Sequence, residues 1–177
     1  MAKLAAAVDE RDHSLGPADA PVTLLVYGDY ECPYTRKALL VVRQLREQSG
    51  DRLRFVFRNF PLTEIHPHAF HAAEAAEAAA AQGQDAFWAM HTYLFAHQQA
   101  LEDADLRQYA ALLGLDTARF VQAMAGHTGA SRINEDIESG LRSGVQGTPT
   151  LFINGTRHDG SWDLGPLRTA LARADQH

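Results

Sequence analysis

One cysteine in 177 residues excludes any disulfide within the chain, so the fold rests on packing alone. Basic excess is lacking too: 16 Lys and Arg stand against 22 Asp and Glu, a formal charge of −6. With no basic run either, nothing points to a nucleic-acid partner. No apolar stretch approaches the length of a membrane span. The start, Met1 to Val8, carries one lysine and a few apolar residues before Asp9-Glu10-Arg11-Asp12. That is too short for a secretory h-region, so the expected address is the cytoplasm, with the periplasm or exterior open if a signal has been removed. Internal repeats are absent as well. What remains is 46% apolar and 21% charged, a composition that builds one globular domain with room for an insertion.

The lone cysteine has a particular setting. Val22-Thr23-Leu24-Leu25-Val26 reads as a buried strand. Arg36 to Gln48 reads as a helix, with Ala38, Leu39, Val42 and Leu45 at helical spacing. Between them lies Tyr27-Gly28-Asp29-Tyr30-Glu31-Cys32-Pro33-Tyr34-Thr35. Cys32 therefore stands where a strand ends and a helix begins, with Pro33 suited to the first helical position. Free amides and the positive dipole end at such a start favour an anion, here a thiolate. An exposed, nucleophilic sulfur is the expectation, against the alternative of an inert core thiol.

Residues 1–14 read as a flexible N-terminal tail, and Gly16-Pro17 and Pro21 punctuate the approach to the first strand. After a break at Gly50-Asp51, Leu53 to Arg58 reads as a second strand, giving a strand–helix–strand unit with parallel strands. Composition then shifts. Pro67 to Gln82 is almost all alanine, glutamate and histidine, stopped by Gly83. Three further short helices follow: one capped by Asp85 with Phe87, Met90, Leu94 and Phe95 on a face, one over Asp103–Leu113, and one over Asp116–Ala125. Residues 66–128 are thus a helical insertion. Ile133, Ile137 and Leu141 share a face of a helix ending near Gly144. Thr150–Ile153 and Thr156–His158 flank Asn154-Gly155, a strong hairpin signal, and Asp163–Ala174 closes the chain as a helix.

This order resembles the DsbA branch of the thiol–disulfide oxidoreductases. The resemblance is carried by Gly16-Pro17, Pro21-Val22-Thr23, Tyr27 to Tyr34, Phe60-Pro61-Leu62 and Gly147-Thr148-Pro149-Thr150, and spans about residues 12–174. Some proteins of this type are fused behind sodium/proton antiporters. The resemblance implies an α/β fold class, a thioredoxin fold with an inserted helical subdomain. Residues 15–65 and 129–177 form the thioredoxin-like domain in that reading. It implies Cys32 as nucleophile, and Pro149 as a cis proline with Thr148 beside it, whose backbone pairs with an incoming peptide. Pro33, Tyr34, Thr148 and Pro149 are then the substrate-binding residues. The partner is a protein or peptide bearing a disulfide or a reactive cysteine. No metal and no cofactor are expected, beyond a low-molecular-weight thiol as co-substrate.

Two departures from that family matter. Thr35 stands where the resolving cysteine belongs, so the dithiol cycle within one chain is unavailable. Its hydroxyl is expected to support the Cys32 thiolate across one helical turn. Val26 stands where such proteins commonly carry a buried acid, six residues before the nucleophile. Loss of the second thiol removes the need for that acid, and an apolar residue avoids the cost of burying it. The expected activity is monothiol thiol–disulfide exchange on protein or low-molecular-weight disulfides. The alternative is a DsbA-like binding or regulatory module without dithiol redox activity. A thiol-cofactor transferase that uses Thr35, as in kappa-class glutathione transferases, is a third reading. Elsewhere, Asp29 and Glu31 read as rim charges and Tyr30 as a candidate groove residue. His66, His68 and His71 read as a surface cluster at a helix start, and His91 as a polar-face residue.

Overall fold

The computed structural model describes residues 1–177. The element order is β1 (His13–Leu15), β2 (Val22–Gly28), α1 (Pro33–Ser49), a 3-10 turn (Gly50–Arg52), β3 (Leu53–Asn59), α2 (Ala69–Ala80), α3 (Gln84–Ala96), α4 (Asp103–Leu112), α5 (Thr117–Ala125), α6 (Ala130–Arg142), β4 (Thr150–Ile153), β5 (Thr156–His158) and α7 (Leu164–Ala174). One five-stranded sheet runs in the order β1-β3-β2-β4-β5. This is an α/β fold of the thioredoxin type, with α2 to α5 inserted between β3 and α6. No helix is long and apolar enough to cross a membrane.

The chain divides into two compact units. The first comprises Met1–Gly28, Tyr34–Arg58 and Glu138–His177, and the second Asp29–Pro33 and Asn59–Ile137. In the first, β2 is central and Leu24, Leu25, Val26 and Tyr27 are all buried. Such continuous burial marks a strand covered on both faces, which is why its sequence shows no alternation. The β2–β4 pairing is antiparallel and sets Val26 opposite Leu151 and Tyr27 opposite Thr150. Helix α1 buries Thr35, Ala38, Val42 and Leu45, one stripe at spacings of three and four. Gly28 makes this packing possible. A Cβ there would stand 2.6 Å from Phe57 Cε2 and 2.7 Å from Thr35 Cγ2.

The N-terminal segment corrects an expectation. Rather than forming a flexible tail, it is bound along its length. Leu4 N donates to Gly155 O and Arg157 N to Ala2 O, each at 2.9 Å. His13–Leu15 pairs antiparallel with Phe55–Phe57. Asp12 is fastened by Arg58, whose Nε and Nη2 donate to the two carboxylate oxygens at 2.8 and 2.9 Å. The available strand edges and this buried pair override a local sequence without periodicity.

In the second unit α2 is buried almost all round, with Ala72, Ala73, Ala75, Ala76, Ala78 and Ala79 in the core. Small side chains let neighbouring helices approach closely on several sides. Asp116 caps α5, its side chain accepting from Arg119 N. For α3 the cap is Gly83, and Asp85 lies inside the first turn. Helix α6 departs from its apolar reading: Leu141 is exposed, and the buried line is Ile133, Asp136 and Ser139, continued by Ser143 just past the helix end. Three of those four are polar, so a hydrophobic pattern does not reveal the face.

Candidate functional site

Cys32 sits in Asp29–Pro33, a segment of the second unit made of the four residues that link β2 to α1 and the first residue of that helix. Asp29 organises this segment from a nearly inaccessible position. Its Oδ1 accepts from Glu31 N at 2.7 Å, a local turn of the kind aspartate favours. Its Oδ2 accepts from Leu62 N at 2.9 Å and meets His66 Nδ1 at 2.8 Å. The Asp29 carbonyl accepts from Cys32 N at 3.0 Å. Glu31 Oε2 accepts from His68 N at 2.8 Å. Asp29 and Glu31 are therefore anchors of the loop, not the rim charges expected of them.

Tyr30 is buried and its hydroxyl meets His91 Nδ1 at 2.9 Å. Burial pushes the phenol well above its ordinary range, and the carboxylates of Glu77 and Asp136 add to the shift. The phenol is thus neutral, and Tyr30 belongs to the core rather than to a groove. His91 lies among Phe87, Trp88 and Phe95, within 5.7 Å centroid to centroid of each, which corrects its reading as a polar-face residue. Gln98 completes the clamp: its Nε2 donates to the carbonyls of Tyr30 and Cys32 at 2.9 and 3.0 Å.

The consequence is a cysteine that is 3% exposed. The expected exposed sulfur is not what the structure holds: Cys32 is a thiol outside any disulfide, in a covered position. Pro33 and Tyr34, the next two residues, are exposed. Lys37 Nζ lies 5.7 Å from the Tyr34 ring centroid. Thr35 is inaccessible, on the buried stripe of α1. In the first unit the Thr148–Pro149 peptide bond is cis, as the resemblance implies. Both residues are half-buried, and Thr150 Oγ1 donates to Gly147 O at 2.7 Å.

The histidines near the start of α2 each meet a different carboxylate. His66 meets Asp29, His68 Nε2 lies 3.4 Å from Glu102, and His71 meets Glu74 and Asp103. No group of three or more His, Cys, Asp or Glu converges as a metal site would require. Asp136 is a buried acid that the sequence pattern does not single out. Asp136 Oδ2 accepts from Asn59 N and Nδ2 at 2.9 and 3.0 Å, and Oδ1 from Arg132 Nε at 3.1 Å. Burial pushes this carboxyl up to about 6, against the pull of Arg132 and Asn59. Only its i,i+4 spacing from Arg132 was a signal, and a surface helix carries many such pairs.

Comparison with known proteins places this geometry. The chain is 50% identical over 165 residues to the Na(+)/H(+) antiporter NhaA 1 of Salinispora arenicola, covering 93% of this chain and 25% of that protein. It is 44% identical over 162 residues to the Na(+)/H(+) antiporter NhaA of Herminiimonas arsenicoxydans, covering 92% of this chain and 25% of that protein. The chain thus spans about a quarter of the length of these curated relatives. Among solved structures it is similar to oxidised BdbD from Bacillus subtilis, with a TM-score of 0.83 at 22% identity and 94% of each chain covered. The catalytic domain of Proteus mirabilis ScsC gives 0.80 at 20% identity, covering 96% of this chain and 92% of that one. Residues 8–173 match the family model described as Thioredoxin, and the chain belongs to the thioredoxin family.

Proposed function

We propose that the chain carries out monothiol thiol–disulfide exchange through Cys32. The observation that carries this reading is the placement of its one thiol immediately before α1, where helix-start amides favour a thiolate. The thiolate attacks one sulfur of a disulfide, forming a new S–S bond to Cys32 as the old one breaks and the second sulfur leaves as thiolate. A thiol from outside the chain then attacks the mixed disulfide and restores Cys32. Thr35 takes the resolving cysteine's place as a hydroxyl that supports the thiolate. Pro33, Tyr34, Thr148 and Pro149 serve the incoming peptide. Burial of Cys32 adds a condition: the sulfur reacts once docking of the disulfide opens Asp29–Pro33. In a cytoplasmic setting, reducing thiols drive the cycle toward reduction of the substrate. Intact-mass spectrometry after exposure to a peptide mixed disulfide tests the reading. One adduct, absent in Cys32→Ser and discharged by glutathione, is expected; an unmodified wild-type chain would end it.

A second reading is a binding or regulatory module appended to a transporter. The 3% exposure of Cys32 and the antiporter names of the relatives favour it. Under that reading Cys32→Ser leaves partner binding intact and neither form captures a disulfide.

A further inference from the structure

Within the second unit, residues of α2, α4 and α5 border a cleft of about 310 Å³, at the small end of the range for small-molecule sites. Leu106, Phe120 and Met124 supply its apolar side, and His71, Arg107 and His127 line its polar side. That polar side is built. Glu74, with a side chain only 5% exposed, accepts from His127 Nδ1 at 2.7 Å and lies 3.5 Å from His71 Nδ1. His71 Nε2 in turn meets Asp103 Oδ1, so the one carboxylate on the cleft wall already has a partner. His127 adopts a φ of 50°, in the left-handed region that non-glycine residues occupy uncommonly, histidine more readily than most. Two residues on, only a glycine fits, since a Cβ at Gly129 would stand 2.5 Å from Glu77 Cβ. The α5–α6 turn is thus pressed onto α2 at some cost, and the outcome is an imidazole on the cleft wall. Arg107 lines the same cleft with its guanidinium in no hydrogen bond or ion pair.

We propose that this cleft binds a small amphipathic carboxylate. The hydrocarbon lies along Leu106, Phe120 and Met124, and the carboxylate meets Arg107 with the two imidazoles beside it. An amine of the same length meets the Arg107 guanidinium, a charge of its own sign. An alcohol fills the apolar side but leaves the guanidinium without an anion. The site is independent of Cys32 and of the exchange reaction.

Titration of the 15N-labelled full chain with octanoate, octylammonium and octanol, followed by NMR, tests this. Octanoate is expected to give saturable shifts centred on Val121, Met124 and His127 and to bind more tightly than either analogue. Arg107→Gln, an exposed substitution that leaves the core alone, should weaken octanoate about tenfold, the worth of one charge-assisted hydrogen bond, and leave octanol unchanged. Absence of saturable shifts, shifts centred elsewhere, equal binding of octanol or octylammonium, or an Arg107→Gln affinity equal to wild type each overturns the proposal.

Discussion

Replacing Asp29 by asparagine changes one atom in the segment that carries Cys32, and its cost follows from the bonds in place. The carboxylate serves Glu31 N through one oxygen and Leu62 N with His66 through the other. An amide has one oxygen. In either orientation its NH2 group faces a backbone N–H that has lost its acceptor in a buried site. Such an orphan costs about 1–3 kcal/mol, so Asp29→Asn should destabilise by about 2 kcal/mol. Asp29→Ala, which abandons every donor, should cost about twice that. Urea denaturation reads this as a lower midpoint with an unchanged slope. The same loosening should reach Cys32, whose cover depends on this segment. Its reaction with a small aromatic disulfide reagent under native conditions should rise, by up to about tenfold for each 1.4 kcal/mol lost locally. An Asp29→Asn chain within about 0.5 kcal/mol of wild type, with an unchanged thiol rate, would refute the view that Asp29 holds the loop.

Other consequences are equally specific. Gly28→Ala presses a methyl into Phe57 and Thr35 and should cost about 1–3 kcal/mol; adding Thr35→Ser, which removes the one methyl of Thr35, should recover part of that in a double-mutant cycle. Arg58→Met leaves Asp12, 1% exposed at its side chain, without a counter-charge and should cost about 3–5 kcal/mol, whereas Arg58→Met with Asp12→Leu should regain most of it. Asp136 binds its proton more tightly folded than unfolded, so its contribution is fully present below the ordinary 3.8 and is lost as pH rises through about 6. The stability of wild type relative to Asp136→Asn should therefore fall between those limits, by at most about 3 kcal/mol, as read from urea midpoints across the range; a flat or rising difference contradicts the assignment.

The parts of the fold that could be read from sequence are those whose cause is local. Burial on both faces makes β2 a continuous apolar run, Asn154-Gly155 sets its hairpin, and Gly83 and Gly114 take positive φ where helices stop. Strand β1 has three residues, His13–Leu15, too few for any period, and exists because β3 offers an edge. The site shows the same limit. The place of Cys32 at a helix start is local, and so legible. Its cover is not: Gln98 reaches the Cys32 carbonyl from 66 positions away, and Asp29 finds Leu62 across 33. Thr35 is legible only as a neighbour of Cys32 one helical turn away, whereas its place on the buried stripe of α1 depends on what packs against that helix. His91 is not legible either, because a polar residue met by a buried hydroxyl looks, in sequence, like any exposed one.

The most direct test compares Cys32 toward one peptide mixed disulfide in the folded chain and in the same chain unfolded in urea, at neutral pH. Helix-start activation and a docking surface predict that the folded chain forms its one-to-one adduct faster, and that an external thiol discharges it. A folded chain that reacts no faster than the unfolded one would mean that the sulfur is merely part of the core.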